Sequence, residues 1–166
     1  MQYSNIIQLD KKIAELVEYS KDENNIEYRE IEFGIVSNQL GQSIKQLIDG
    51  RECNRVPKTI SSSQIQHAIK GHGNIKAESD RGQKAICDDD FKYIPQIVNR
   101  YDTIDKSNKP DTYGNPGILF TKNIQGGTYF VVMSVKSKKD KQKNGIDVKF
   151  DFATMWIKKI KPTNKC

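Results

Sequence analysis

The chain has 166 residues, 36% of them hydrophobic, with a mean hydropathy of −0.72 and a net charge of +6. That length fits one domain, and folding can bury roughly 70% of the unfolded surface, so a core can form without disulfide or metal staples. No run is apolar enough to cross a membrane, and the cysteines Cys53, Cys87 and Cys166, odd in number and without CxxC spacing, argue against a disulfide framework and fit a reducing compartment.

The opening MQYSNIIQLDKKIAELVEY lacks the apolar centre of a signal peptide. Action in the cytoplasm without a membrane partner is expected, and a larger protein or a phage particle would have to deliver an exported form. Cys166 stands in no lipidation box. Ile6, Ile7, Leu9, Ile13, Leu16 and Val17 recur at largely helical spacing up to Tyr19, and KDENN reads as a turn. From Tyr28 to Val36, Tyr28, Glu30 and Glu32 alternate with Arg29, Ile31, Phe33 and Ile35, which predicts a half-buried strand. Ser37 is the predicted N-cap of a helix with Leu40, Ile44, Leu47 and Ile48 on one stripe and Gly50 as its stop.

GRECNRVPK reads as a loop leading to a cap among Ser61, Ser62 and Ser63. The helix that follows carries Ile65 and Ile69 on one face and is predicted to end at Gly71. Asp88 to Asp90 can cap DFKYIPQIVNRY, which Pro95 kinks or restarts. Residues 102–116, with Pro110, Gly114 and Pro116, read as a loop. Three predicted strands close the chain: 117–122, then NIQGG as a tight turn, 128–136, the basic loop 137–145, and 146–160. In the last, Ile146, Val148, Phe150 and Phe152 alternate with Asp147, Lys149 and Asp151. Helices first and an antiparallel meander last make an α+β fold.

Charge is unevenly spread. Residues 1–36 carry eight acidic against four basic side chains, whereas residues 122–166 carry eleven lysines against Asp140, Asp147 and Asp151. A basic C-terminal half points to a polyanionic partner, with a solvated lysine surface as the plainer alternative.

Both histidines, His67 and His72, fall in SSSQIQHAIKGHGN. Positions five apart on a straight helix sit about 140° apart around its axis, so the rings share a face only if the chain bends at Gly71. Two imidazoles, with an ordinary pKa near 6.5, suit an acid–base pair at neutral pH. Metal-independent RNA cleavage needs that pair, one to activate a 2′-OH and one to protonate the leaving 5′-oxygen. A basic sheet face with Lys136, Lys149, Lys158 and Lys159, and Tyr129 and Trp156 for base stacking, would complete such a site. The alternatives remain open at this point. His67 can pack while His72 caps a helix end, or His67, His72 and Cys87 can ligate zinc, although no paired motif or fourth ligand is evident. Tyr129, Phe130, Phe150, Phe152 and Trp156 equally suit sheet packing, Glu78 and Arg81 an exposed pair, and Thr154 an ordinary strand position.

FGIVSNQLGQSIKQLI, IQHAIKGHG, ESDRGQKAI and DFKYIPQIV with YDTI, followed by GTYFVVMSVKSKK and FATMWIKK, together resemble the phage-associated branch of the barnase–EndoU–colicin–RelE nuclease superfamily over about residues 31–161. The strongest element is HxxxxHG with ExxRGQ beginning six residues beyond the second histidine. The resemblance implies N-terminal helices packed on a four-stranded antiparallel sheet, in a nuclease domain spanning 31–166 that follows a helical extension or linker at 1–30. It further implies a cofactor-free, metal-independent endoribonuclease forming a 2′,3′-cyclic phosphate, of a kind found in phage head-associated proteins and toxin tips. RNA, with tRNA as a candidate, would be the substrate, and an immunity protein or antitoxin a partner. By motif, His67 and His72 become base and acid in either order. Glu78, Arg81 and Thr154 match the family's ExxRG element and last-strand hydroxyl. Arg81 and Lys136 would hold phosphate and Thr154 would bond to it, with Tyr129, Trp156 and Lys158 completing the substrate-binding set. A non-catalytic nucleic-acid-binding or phage structural module is the alternative from another class.

Overall fold

The computed structural model describes residues 3–48, 52–140 and 145–160. Its elements are α1 (Tyr3–Lys21), β1 (Glu30–Ile35), α2 (Asn38–Leu47), β2 (Pro57–Ser61), α3 (Ser62–His72), α4 (Ile75–Asp80), β3 (Gln83–Lys84), a 3-10 helix (Asp88–Tyr93), α5 (Ile94–Asn99), β4 (Thr103–Lys106), β5 (Gly117–Ile124), β6 (Gly127–Asp140) and β7 (Gly145–Lys159). The mixed α+β layout is as expected. The sheet is larger: among the described residues seven strands run in the order β1-β2-β7-β6-β5-β4, with β3 added beside β7.

The expectation of four antiparallel strands is therefore corrected. β2, β3 and β4 arise in segments without a strand pattern, two of them read as loops, and β2 pairs parallel to β7 through Lys58–Phe150 and Thr59–Asp151. These strands are too short and polar to show periodicity, and neighbouring backbones recruit them. The hairpin strands also run further than expected, with β6 and β7 in register out to Asp140 and Gly145. Gly50, Cys166 and positions 141–144 of the expected basic loop lie outside the described residues.

Local signals explain most helices. Ser37 Oγ accepts from the Leu40 backbone N–H at 3.2 Å and starts α2. Pro95 sits in the first turn of α5, where its missing N–H costs nothing, so it restarts the helix after the 3-10 turn. α1 buries Ile13, Leu16 and Val17 in the same core as Phe33, Ile44, Phe91, Phe120 and Phe152. Among the described residues no helix is long and apolar enough to cross a membrane. Cys53 is buried and Cys87 is exposed.

Two bulges reset which side chains face the core. Between Glu32 and Ile35 the β1–β2 register slips beside Gly34, whose φ is +120°. Phe33 stays buried but Ile35, expected inside, is 51% exposed. In β7, Val132 pairs with Thr154 while Met133 pairs with Phe152, so Ala153 is an extra residue. One extra residue inverts the alternation beyond it. Phe150, Phe152, Met155 and Ile157 are consequently all buried in the core, while Thr154 and Trp156 face the opposite side of the sheet.

Candidate active site

α3 continues through Gly71 to His72, and the chain turns at Gly73 instead. The Gly73 N–H bonds the Ile69 carbonyl at 2.8 Å, and a Cβ on Gly73 would lie 2.5 Å from that oxygen, whereas a Cβ on Gly71 would meet nothing within 4 Å. The predicted bend at Gly71 is thus corrected: backbone packing demands the glycine two positions later. Gly71→Ala is expected to stabilise the protein by about 0.5–1 kcal/mol by removing helical glycine entropy. Gly73→Ala should destabilise it, and thermal unfolding of the two variants checks the contrast.

After Gly73, Asn74 Oδ1 accepts from the Ala77 N–H at 3.0 Å and caps α4. The Arg81–Gly82 turn, with Gly82 at φ +69°, leads the chain into β3, and the Ile86 N–H bonds the His72 carbonyl at 2.9 Å. Glu78 is thereby fully buried under the end of α3. One carboxylate oxygen meets His72 Nδ1 at 3.0 Å, and Arg81 donates to the other and, at 3.1 Å, to the Gly71 carbonyl. The pair that sequence alone allowed as exposed is a buried carboxylate bridging an imidazole and a guanidinium.

His67, exposed, points elsewhere around α3 and lines a cavity of about 380 Å³. Leu119, Val132, Thr154 and Trp156 line it from the sheet, and Lys109 and Tyr113 from the facing loop. Trp156 connects the two histidines: it borders this cavity, and its ring centroid lies 6.3 Å from that of His72. Phe130 stacks on Trp156 at 5.1 Å with a 2° interplanar angle, and the Lys158 ammonium sits 5.3 Å from the Phe130 centroid. Around the C-terminal half of β7 two groups thus meet at Trp156: His67 and Thr154 line its cavity, while His72, with Glu78 and Arg81 behind it, approaches the Trp156 ring without lining that cavity, and Lys158 lies over the Phe130 ring.

Other expected members are elsewhere. Tyr129 is buried on the core side, donates from its hydroxyl to Asp90 at 2.6 Å and packs edge-on against Tyr93. Burial, then the Asp90 bond, pushes its phenol pKa up. That corrects its reading as a stacking platform. The Lys136 ammonium pairs with the fully buried Asp151, which also accepts from Thr59 Oγ1 at 2.9 Å. Lys149 is bound by Glu30 and Tyr28. The basic face is neutralised at this end and retains Lys158 near the histidines. His67, His72 and Cys87 do not converge as zinc ligands: among the described residues no three His, Cys, Asp or Glu side chains cluster in that way.

The family model of the phage-Barnase-EndoU-ColicinE5/D-RelE like nuclease3 matches residues 34–165. The chain belongs to this nuclease family. No curated protein and no solved structure matches it. The span matched to the nuclease family holds every residue of the cluster around β7 and begins after α1, although α1 shares the core.

Sequence reasoning missed the wall facing His67 in this nuclease. Asp111 organises it: its carboxylate accepts from the backbone N–H groups of Tyr113 and Asn115, each at 2.9 Å, and from the Asn115 amide. Burial pushes the Asp111 carboxyl up, but these bonds, led by Asn115, hold its pKa below the ordinary value. Tyr113, 83% exposed, is displayed at the cavity rim. The signal was present in DTYGN, an aspartate-anchored turn with an aromatic at its crest.

Proposed function

We propose that this nuclease is a metal-independent endoribonuclease acting by 2′-OH transesterification, with His72 as base and His67 as acid. The observation that carries the reading is His72 held through Nδ1 by a buried carboxylate, with its ring against Trp156 and His67 on the adjoining cavity. A carboxylate accepting from Nδ1–H fixes the tautomer that leaves Nε2 able to take a proton. In the proposed step Nε2 removes the 2′-OH proton as the 2′-oxygen bonds to phosphorus. The P–O5′ bond breaks, and His67 delivers its proton to the departing oxygen, leaving a 2′,3′-cyclic phosphate. Arg81 and Lys158 offset the charge building on the phosphorane, and the Thr154 hydroxyl donates to it. Trp156 has one face covered by Phe130, so it serves as a wall and Tyr113 as the stacking surface for an unpaired base.

Incubation with total tRNA in EDTA should yield fragments ending in cyclic phosphate. Cleavage only after addition of a divalent metal ion sinks the mechanism, and salt-sensitive binding without turnover supports a binding module instead. Tyr113→Ala is expected to raise KM about 5–150-fold, the worth of one stacked base, with kcat nearly unchanged. Steady-state kinetics on a short single-stranded RNA separates the two parameters.

A further inference from the structure

A second hollow lies apart from the histidines, where β1 leads into α2 beside the end of α5. Lys58 on β2 is only 5% exposed. Its ammonium donates to Asn99 Oδ1 and sits 5.7 Å from the Phe33 ring centroid, and among the described residues it forms no ion pair. The partly buried Lys122, Lys136 and Lys149 are matched by Asp102, Asp151 and Glu30. Burial holds the Lys58 pKa below that of an ordinary lysine. A buried cation without a counter-charge is costly, and either deprotonation or an anion relieves it.

Lys58 lines a cavity of about 400 Å³ together with Ser37, Gln39, Asn99, Arg100 and Tyr101, and among the described residues no carboxylate borders it. Arg100 is exposed and forms no ion pair among the described residues. The first turn of α2, at the same cavity, carries no acidic side chain. Two cations and uncharged hydrogen-bonding groups, with no acid among the described residues, line a hollow large enough for a tetrahedral oxyanion and part of its ester.

We propose that this hollow is a phosphoryl-binding site, with Lys58 and Arg100 as its cationic ligands. The phosphoryl group belongs either to a small phosphate or to a nucleic-acid backbone, and both offer the same oxygens to the ammonium and the guanidinium. Lys58→Met removes a charge that is 5% exposed and has no ion-pair partner among the described residues, so it should fold, and Arg100→Ala alters an exposed side chain. Calorimetric titration of the full chain with inorganic phosphate, at ionic strength held constant with chloride, is expected to show saturable binding. Both variants should weaken it at least about tenfold, the effect of losing one charge-assisted contact. Equal binding by wild type and both variants, an adventitious ion only, overturns the proposal, as does the absence of saturable binding by wild type. A labelled DNA oligonucleotide, which has no 2′-OH to react, then identifies the source. Weaker oligonucleotide binding by Lys58→Met and competition by phosphate mark a backbone site. Unchanged oligonucleotide binding alongside lost phosphate binding marks a small-phosphate site. The readout is binding alone and stands whatever His67 and His72 do.

Discussion

Replacing His72 with alanine is expected to lower the rate of RNA cleavage about 10²–10⁴-fold, the usual worth of a positioned general base. The fold should survive, because the core side of α3 is carried by Ile65 and Ala68, while the His72 side chain is 23% exposed. Arg81 still pairs with Glu78 in the variant, so the carboxylate is not stranded. His67→Ala should cost a comparable factor, and the two variants should remove opposite limbs of the pH–rate profile if one ring accepts a proton and the other donates. Glu78→Gln keeps an oxygen for Nδ1–H but weakens the hold of Arg81, and a smaller loss is expected because it acts on His72 and not on the substrate. These rates can be read from single-turnover cleavage of a labelled RNA. A His72→Ala enzyme retaining more than about a tenth of the wild-type rate would remove His72 from proton transfer.

The second large effect is on stability. Lys136→Met leaves Asp151 fully buried with, among the described residues, the Thr59 hydroxyl as its one remaining side-chain partner. Breaking a buried pair from one side typically costs about 3–5 kcal/mol. Lys136 keeps 22% of its side chain exposed, so the lower end, about 3 kcal/mol, is expected. Urea unfolding measures the loss, and adding Asp151→Leu should recover much of it by removing the stranded charge. The same variant tests the role that the family resemblance implied for Lys136. A phosphate contact would reduce the slope of log affinity against log salt by about 1. The expected result is a destabilised protein with that slope unchanged.

Local chemistry was legible in the amino-acid order. Ser37 capped its helix, Pro95 restarted one, and the alternation of Ile146 to Phe152 placed Phe150 and Phe152 in the core, because each effect depends on residues within a turn or a pleat. The motif order from IQHAIKGHG to FATMWIKK was enough to indicate the family that the match over residues 34–165 establishes. Long-range matching was not legible. Lys58 reads as the end of a loop and Thr59 falls in no expected element until Asn99 and Asp151 arrive from distant segments to bond them. Tyr113 stands opposite His67 only because the turn around Asp111 reaches across the sheet.

The sequence by itself determined the α+β class, most helices, the core hairpin and the set of acid–base and cationic residues in play. Tertiary structure decided how those residues meet. The Ala153 bulge turned Thr154 and Trp156 out of the core, and the tight approach of Gly73 to the Ile69 carbonyl moved the bend beyond His72. Both outcomes depend on which backbones lie side by side, since a bulge is a mismatch between two strands and a close approach needs a neighbour; neither is encoded in the spacing of one segment.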